Sequence, residues 1–494
     1  MRVWGVIAFA LALLPPLAAV AQPSQEAGEL RAYVVDAMAQ WGVPGMAVAV
    51  VRDDQVVLAE GYGVRRLGEQ ASVDADTVFA IGSNTKAFTA AVIATEIEAG
   101  RMAWDAPVVR YLPDFQLLDP WVTREITIRD LLTHRHGLAR GDMLWHGSGL
   151  DRTEIIRRMR RLPQRLPFRS RYDYNNLGYI VAGQAAAAAA GKSWDDLVHD
   201  RLLSPLGMSR SSTGISALEG MDDLASPHWI ENGSTAVMPR MNLDNLGPAG
   251  SINSSARDMA RWLRFQLADG QADGRPLVAA RLLRQTRSAQ VTTPTANDPL
   301  FPTTHFNAYG MGWALFDYQG RQILHHTGGV DGMQSEMVLV PEARLGFVIL
   351  TNAEGHDLSR AVMYRLLDLY LGAPERDWSA LFLERARADG EDEDDAASVA
   401  TGASPSRPLQ DYAGVYTDPL YGEVAVIATD AGLELTFGPL HRATLTPRSH
   451  DAFSGRWTHP RLGTSSVVFQ QDAKGDVGGL ELGGVGTFVR KPST

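Results

Sequence analysis

Apolar and polar residues follow two different patterns along the chain, and these patterns divide it into two parts. After a helical segment, Val48 to Val51 and Val56 to Ala59 predict two short strands around the polar turn Arg52-Asp53-Asp54. Helical and loop-rich segments follow, and strands return later in GMGWALFDYQGRQILHHTGG and EMVLVPEARLGFVILTNAEG. A sheet built from both ends of one domain, with helices between, predicts an α+β fold.

A change of composition separates this part from the second. Residues 381–408 are acidic and then rich in Ala, Ser and Pro, which predicts a flexible linker. Short alternating runs follow at intervals of roughly ten residues, which is typical of a small β-sandwich or barrel. These runs are EVAVIAT, GLELTFG, SSVVFQQ, GGLELGG and GTFVRK. We therefore expect one domain over residues 22–380 and an all-β domain over residues 409–494.

The N-terminal segment MRVWGVIAFALALLPPLAAVAQ has a basic start, an apolar run broken by Pro15 and Pro16, and small residues before Gln22. This pattern predicts a signal peptide over residues 1–21, with cleavage after Ala21. The apolar run is shorter than the ~20 residues of a spanning helix, and later segments are less apolar. We expect a periplasmic or secreted protein with no membrane span after cleavage.

Composition narrows the classes of function. The formal net charge of −11 argues against a nucleic-acid partner, because phosphates repel an acidic surface. The basic stretch RRMRRLPQRLPFRSR predicts a solvated helix followed by a proline-broken loop. A chain of 494 residues without cysteine has no disulfide, no thiolate metal site and no cysteine nucleophile.

Lysine is rare in this chain. Of the 46 Lys and Arg residues, only Lys86, Lys192, Lys474 and Lys491 are lysines. Arginine carries the same charge but does not lose its proton in a protein, whereas a partly buried lysine does. A site that needs a neutral amine must therefore keep lysine, which directs attention to Lys86.

Ser83 lies three residues before Lys86 in FAIGSNTKAFTAAVIATEIEAG, after Gly82 and at the predicted start of an alanine-rich helix. One helical turn places both side chains on the same face. A desolvated amine there would accept the hydroxyl proton and make the serine a nucleophile. The alternative is a helix-capping serine followed by a surface lysine, and the spacing alone does not separate the two.

Two further stretches carry groups suited to the same chemistry. In YDYNNLGYIVAG, Tyr174 can relay a proton and Asn176 can hold a substrate amide, although a capping asparagine beside packing tyrosines has the same pattern. In ILHHTGGVDG, strand alternation points His325 and His326 to opposite faces, so they cannot share one metal ion. The alternative for this stretch is an edge strand that ends in a glycine turn.

In this order, Ser-x-x-Lys, Tyr-x-Asn and His-x-Gly resemble the motifs of the penicillin-recognising serine hydrolases. The branch concerned contains class C β-lactamases, D,D-carboxypeptidases, D-aminopeptidases and related esterases. The resemblance covers residues 28–375 and includes ITIRDLLTHRHGL, GPAGSINSSARDMARWL and YGMGW. It implies a β-lactamase/transpeptidase-like domain, which has an antiparallel sheet with helices on both sides.

The region from LQDYAGVYTDPLYGEV to the C-terminus resembles the lipocalin-like β-domain that follows some D-amino-acid-preferring serine peptidases of this family. This second resemblance implies a small barrel-like domain that shapes or covers the mouth of the active site.

The resemblance also assigns roles to individual positions. Ser83 matches the acylated nucleophile, Lys86 its base, and Tyr174 the tyrosine that shares the proton. Asn176 matches the substrate-positioning asparagine. The backbone N–H groups of Ser83 and Gly329 match the oxyanion hole. This chemistry requires no cofactor, and we predict no metal site.

One departure concerns the segment His326-Thr327-Gly328, which we expect to contact the substrate. Most β-lactamases carry lysine where this chain has His326, and a histidine of ordinary pKa is mostly neutral near pH 7. Relatives with His-Thr-Gly are more often peptidases and esterases than β-lactamases.

We therefore expect an exported serine hydrolase that acts through an acyl-enzyme on amide or ester bonds of a small molecule or short peptide. A peptidase, with or without a preference for D-amino acids, and an esterase both fit this expectation. A class C-like β-lactamase and a penicillin-binding sensor that acylates without turnover remain alternatives. The sequence leaves the oligomeric state open.

Overall fold

The structure is a computed structural model that describes residues 25–295, 298–397 and 404–492. The signal peptide expected over residues 1–21 lies outside the described residues. Among the described helices, none is long and apolar enough to cross a membrane. The α-helices are α1 (Gln25–Trp41), α2 (Thr85–Glu98), α3 (Pro120–Glu125), α4 (Ile128–Leu132), α5 (Arg152–Arg158), α6 (Asn176–Ala190), α7 (Trp194–Val198), α8 (Ala256–Leu267), α9 (Ala280–Thr286), α10 (Leu358–Leu371) and α11 (Trp378–Ala397).

An eight-stranded antiparallel sheet forms the centre of the first domain, in the order β2-β1-β14-β13-β12-β11-β10-β9. Its strands come from both ends of the domain, as the sequence pattern predicts. The strands of this domain are β1 (Gly45–Arg52), β2 (Gln55–Gly63), β3 (Phe79–Ala80), β4 (His228–Glu231), β5 (Ser234–Val237), β6 (Asn253–Ser254), β7 (Gln271–Ala272), β8 (Arg275–Pro276), β9 (Val291–Thr292), β10 (Asn307–Tyr309), β11 (Ala314–Tyr318), β12 (Arg321–Val330), β13 (Met333–Val340), β14 (Leu345–Thr351) and β15 (Ala353–Glu354).

Helices cover both faces of this sheet. Alternate side chains of β1 enter different cores, because successive residues of a strand point to opposite faces. Ala47 and Ala49 belong to the core that includes α2 and α8. Val48 and Val50 belong to the core that includes α1 and α10. The expected antiparallel sheet with helices on both sides is therefore confirmed.

The predicted N-terminal hairpin is present and is longer than the valine pattern indicates. In the ladder between β1 and β2, Arg52 pairs with Gln55, so Asp53 and Asp54 form the turn. Both turn residues have left-handed backbones, with φ of 52° and 65°. Aspartate tolerates this conformation better than most residues, which explains why this polar pair reverses the chain.

The predicted linker over residues 381–408 is wrong in its first part, because α11 continues through Ala397. Phe382 is fully buried, and the Trp378 ring stacks on Phe301 with centroids 5.4 Å apart. These aromatic side chains anchor the start of the helix to the core beside α10. The acidic run contains Asp and Gly, which are poor helix formers, so the anchored first turns, rather than local propensity, account for the continued helix.

The C-terminal part is a closed barrel of eight antiparallel strands, which confirms the predicted small β-domain. Pairing of Tyr416 on its first strand with Arg490 on its last strand closes the barrel. Each of the five predicted strand runs overlaps an observed strand, and three of them extend one or two residues beyond its end. The barrel strands are β16 (Gly414–Asp418), β17 (Gly422–Thr429), β18 (Gly432–Phe437), β19 (His441–Ser449), β20 (Ala452–Trp457), β21 (Thr464–Gln471), β22 (Val477–Leu482) and β23 (Gly486–Arg490).

The basic stretch after Glu154 is a short helix end followed by irregular chain, as predicted. Arg157 and Arg158 both pair with Glu154, and Arg169 pairs with Asp130. These carboxylates neutralise part of the positive charge of the stretch.

Candidate active site

Ser83 lies in a 3₁₀ turn, Gly82–Asn84, that leads directly into α2. The turn packs against the end of β12 so closely that a side chain at Gly82 would lie 2.8 Å from the backbone nitrogen of Gly329. Gly82 also has a positive φ of 51°, which glycine adopts without strain. Both constraints hold the serine at the start of a helix, beside the strand that carries the His-Thr-Gly segment.

The side chain of Lys86 is fully buried and reaches three oxygen atoms. Its Nζ lies 2.9 Å from Ser83 Oγ, 2.8 Å from Asn176 Oδ1 and 2.7 Å from the carbonyl of Ala249. The Tyr174 hydroxyl donates to Ser83 Oγ over 2.7 Å. A neutral amine fits this arrangement, because its two N–H groups serve the amide and the carbonyl while its lone pair accepts the Ser83 proton.

Electrostatics favour the same protonation states. Burial lowers the pKa of Lys86 well below its ordinary value; Asp142 opposes this shift and Arg140 adds to it. Burial raises the pKa of the Tyr174 phenol, which keeps it protonated as the donor to Ser83. Tyr174, Ser83 and Lys86 therefore form a chain of hydrogen bonds that ends at the lysine lone pair.

The structure brings the Tyr-x-Asn pair to the serine from the start of α6. An asparagine cap is also present, but the capping residue is Asn175. Its side chain accepts from the Gly178 N–H at 3.1 Å. Asn176 is the first residue of the helix and turns its amide toward Lys86. Asn175 therefore caps the helix, and its neighbour Asn176 belongs to the candidate site.

Strand β12 places the glycines of the His-Thr-Gly segment against the serine turn. A side chain at Gly328 would lie 2.0 Å from the carbonyl oxygen of Ile81, so only glycine allows this contact. Thr327 and Gly329 are exposed on the strand and line the same cavity as Ser83. The backbone N–H of Gly329 thus lies near the serine, where an oxyanion donor is needed.

His325 and His326 have different neighbours, as the strand alternation predicts. The ring of His325 lies edge-on to Phe316, with centroids 5.0 Å apart. His326 Nδ1 donates to the carbonyl of Thr327 at 2.6 Å, and the Tyr309 hydroxyl donates to Nε2 at 2.9 Å. Burial, together with the nearby Lys86, lowers the pKa of His326 to about 3. His326 is therefore neutral at physiological pH.

Replacing His326 by lysine should improve turnover of substrates that carry a carboxylate. The new ammonium would face the cavity where the neutral imidazole now lies, and a charge-assisted hydrogen bond favours binding by about tenfold or more. The measurement is kcat/KM for a chromogenic cephalosporin and for a neutral ester in both proteins. An unchanged ratio between the two substrates contradicts this account of His326.

Ser83, Tyr174 and Asn176 line a cavity of about 590 Å³ whose wall includes residues of both domains. Two guanidinium groups face it, Arg140 from the first domain and Arg461 from the barrel. Arg461 Nη2 lies 3.3 Å from the position of a side chain at Gly329, which places a barrel cation beside the strand. Its Nη1 also donates to Glu354 Oε1 over 2.6 Å. The barrel therefore brings positive charge to a cavity whose histidine is neutral.

A buried carboxylate, Asp331, connects the two domains beside this cavity. His146 Nε2 and His459 Nε2 each lie 3.2 Å from its Oδ2, and Arg461 Nη1 lies 3.5 Å from its Oδ1. Burial alone would raise the pKa of Asp331, but hydrogen bonds from the two histidines outweigh it and hold the pKa below its usual range. His459 and Arg461 belong to the barrel, so these contacts fix it at the mouth.

His146, Asp331 and His459 also have the spacing of metal ligands, with candidate atoms within 4.8 Å of one another. The hydrogen bonds favour a different assignment. His441 Nε2 donates to the carbonyl of His146 at 2.9 Å and lies 3.2 Å from His146 Nδ1. These partners place the His146 proton on Nε2, directed at Asp331, so that nitrogen has no lone pair for a metal.

Sequence reasoning missed three groups of this site: Asp142, Asp331 and Arg461. Each lies in a loop where no periodic pattern gives a signal, and Arg461 comes from a domain expected to hold no catalytic residue. The rarity of lysine was an adequate signal for Lys86, because that position has a chemical requirement that arginine cannot meet.

Comparison with known families identifies the fold. A profile of the family described as Beta-lactamase matches residues 30–371, which is most of the first domain. The chain belongs to the Beta-lactamase family. This confirms the expected β-lactamase/transpeptidase-like fold. A second profile, described as Domain of unknown function (DUF3471), matches residues 399–488, a range that covers most of the barrel.

Three relatives of this Beta-lactamase family member are named as hydrolases or penicillin-binding proteins. Unguisins hydrolase ungD from Aspergillus violaceofuscus (strain CBS 115571) is 28% identical over 93% of this chain and 88% of its own length. Unguisins hydrolase ungD' from Aspergillus campestris (strain IBT 28561) is 30% identical over 78% of this chain and 75% of its own. Penicillin-binding protein 4 from Amycolatopsis lactamdurans is 32% identical over 63% of this chain and 81% of its own length.

Solved structures share the two-domain fold. The octameric penicillin-binding protein homologue from Pyrococcus abyssi has a TM-score of 0.65 at 21% identity, and the alignment covers 94% of this chain and 99% of that one. SurE has a TM-score of 0.58 at 21% identity with the same coverage. At this identity, the similarity shows the fold alone.

Proposed function

We propose that this protein is a serine hydrolase that cleaves amide or ester bonds of short peptides through an acyl-enzyme on Ser83. The observation that carries this proposal is the hydrogen-bonded chain from Tyr174 through Ser83 to the buried Lys86. Desolvation of the amine favours a neutral base next to the serine, and the three oxygen partners of Nζ are compatible with that state. Membership of the Beta-lactamase family supports the same assignment.

In the proposed reaction, Lys86 takes the hydroxyl proton while Ser83 Oγ attacks the substrate carbonyl. The N–H groups of Ser83 and Gly329 hold the oxyanion as the tetrahedral intermediate forms. Tyr174 then donates a proton to the leaving amine or alcohol and regains one from Lys86, because the two groups share a single proton. Water, deprotonated by the same pair, then attacks the acyl-enzyme ester. As that tetrahedral intermediate collapses, the pair returns the proton to Ser83 Oγ, which releases the acid and free Ser83.

The names of similar proteins support hydrolysis, and one of them mentions a D-amino acid. Two relatives are named unguisins hydrolases, and one solved structure of SurE is described as holding D-Leu. We extend the proposal to peptides with a D-residue at the cleaved bond. Asn176 would position the substrate amide, and the exposed Thr327 and Gly329 would pair with its backbone where β12 extends beyond its ladder with β11.

Charge in the cavity supports substrates with a free carboxylate near the cleaved bond. His326 is neutral, and Arg461 supplies a guanidinium from the barrel instead. In the proposed complex, Arg461 turns from Glu354 to the substrate, since arginine binds a carboxylate through two parallel hydrogen bonds. Burial raises the pKa of Glu354 to about 7, so this carboxyl can be neutral while Arg461 is engaged.

We also propose that the protein acts outside the cytoplasm, on the basis of the N-terminal sequence pattern alone. Fusion of residues 1–27 to a reporter that is active only after export tests this, because a pattern that does not direct export leaves the reporter inactive.

A turnover screen tests the proposed reaction. D- and L-aminoacyl p-nitroanilides, short acyl esters and a chromogenic cephalosporin are compared in the wild type and in Ser83→Ala. The proposal predicts hydrolysis of peptide or ester substrates that Ser83→Ala abolishes. Activity that survives in the variant contradicts it. Stable acylation without turnover, seen by intact-protein mass, would instead make the protein a penicillin-binding sensor.

Arg461→Gln should lower kcat/KM about tenfold or more for peptides with a free C-terminal carboxylate, because the charge-assisted hydrogen bonds from the guanidinium are lost. Hydrolysis of the corresponding C-terminal amides should change little. Comparing each acid with its amide separates charge recognition from a change in the shape of the cavity. Equal losses on both substrates would contradict the assigned role.

A further inference from the structure

Residues 140–147, here called the bridging loop, contact both the catalytic cluster and the barrel. At the barrel end, the Met143 side chain packs against the barrel core. The His146 ring stacks on His441, with centroids 5.0 Å apart and planes 11° from parallel. A side chain at Gly147 would lie 2.5 Å from His441 Nε2. The barrel therefore holds this end of the loop closely.

At the other end, Asp142 turns its carboxylate toward the catalytic groups. Its Oδ1 accepts from Asn176 Nδ2 at 3.3 Å and from Trp145 Nε1 at 2.8 Å, while Oδ2 accepts from Arg140. The side chain is about one quarter exposed and lines the catalytic cavity. The proposed reaction gives the Asp142 carboxylate no role.

The contact between Asp142 and Asn176 fixes which way the amide points. A carboxylate only accepts hydrogen bonds, so it requires the NH₂ group of Asn176. The carbonyl oxygen of Asn176 must then face the other way, toward Lys86 Nζ at 2.8 Å. Rotation of the amide would set two acceptors against each other and turn the NH₂ group toward the amine. Asp142 thus determines the acceptor that holds Lys86.

Asp142 also contributes charge. Lys86 is desolvated, and Asp142 is the anion that favours its ammonium form, whereas Arg140 opposes that form. The two residues pair with each other on the bridging loop, so their opposite effects come from neighbouring positions. The other titratable groups around the amine are Tyr174, Tyr179, His134 and His326.

We propose that Asp142 is a positioning residue: its carboxylate orients the Asn176 amide toward Lys86 and places a negative charge one side chain away from that amine. The barrel holds the loop that presents it. The kinetic part of this proposal rests on the proposed function, whereas the effect on Lys86 exists in the resting protein.

Asp142→Asn and Arg140→Gln form a matched pair of test variants. Asparagine keeps an oxygen that can accept from Asn176 and Trp145 but loses the charge. Loss of the anion should lower the pKa of Lys86, and loss of the neighbouring cation should raise it, each by about one pH unit. The acid limb of kcat/KM, which follows the neutral amine, should move in the same directions.

Because the chain has only four lysines, the titration of Lys86 can be measured directly. With lysine ¹³C-labelled at Cε, the protein gives four signals, and Lys86→Arg identifies the one from Lys86. Its titration midpoint is measured in the wild type and in both variants, with thermal melting as the check on folding. Opposite shifts support the proposal. Unchanged midpoints, or shifts in one direction, overturn it.

Kinetics separate orientation from charge. Asp142→Ala removes the acceptor as well, so its plateau kcat should fall about tenfold or more below that of Asp142→Asn. Equal plateaus would overturn the orienting role. If none of the proteins hydrolyses a substrate while the Lys86 midpoint still shifts as expected, the proposed function fails and the electrostatic role of Asp142 stands.

Discussion

Replacing Lys86 by arginine should slow acylation of Ser83 by about a thousandfold or more, the scale of a lost general base. Arginine keeps the charge but holds its proton, so it offers no lone pair to the serine hydroxyl. The structure adds a second reason: Nζ is buried among Ser83, Asn176 and Ala249, and a guanidinium group does not reproduce those contacts. The rate of acylation is followed by intact-protein mass with a reactive ester.

The larger arginine side chain could disturb the core, so a second variant is needed. Lys86→Met keeps a similar length, carries no charge and cannot act as a base. Both variants should melt close to the wild type and should share the loss of acylation. Near-normal turnover by a folded Lys86→Arg protein would disprove the neutral-amine mechanism.

Removal of the barrel should change substrate selection more than it changes the chemistry. A protein that ends at Ala397 keeps α11, with the buried Trp378 and Phe382, and keeps every residue proposed to react. It should still hydrolyse small neutral esters, at a lower rate because the bridging loop loses its barrel contacts. Peptides with a free carboxylate should lose about tenfold to a hundredfold, because Arg461 is absent. Bulky substrates should gain relative to small ones.

The measurement is kcat/KM over a graded series of peptide lengths for the full-length and shortened proteins. Full-length Arg461→Gln is the matched control, since it removes the guanidinium charge and keeps the barrel at the cavity. Parallel profiles for a folded, shortened protein would mean that the barrel has no part in substrate selection.

The sequence predicts most of the catalytic cluster because each member has a chemical or local signature. Ser83 and Lys86 are one helical turn apart, so helix geometry alone brings them together. Tyr174 lies 91 residues after Ser83, and only the resemblance to a family connected them before the fold was known. Asp142 and Arg461 had no signature, because their positions depend on how a loop and a second domain pack.

The errors in the fold prediction have the same origin. The segment after residue 381 has the composition of a linker, but Phe382 packs in the core and converts the segment into a helix. In the barrel, the predicted runs omit β19 and β20, whose buried positions alternate with more exposed ones but include few large apolar residues, as in HRATLTPRS and AFSGRW. Their pairing with neighbouring strands, which a local window does not see, defines them.

The pairing of β1 with β14 has a consequence for how the protein folds. Met46 pairs with Thr351, so this ladder joins residues about three hundred positions apart. The N-terminal hairpin is made early during synthesis, yet its partner strand appears only when the domain is almost complete. Contacts of such long range make folding slow and leave an unpaired strand edge meanwhile. Recovery of activity after dilution from denaturant should therefore follow the formation of the β1–β14 ladder.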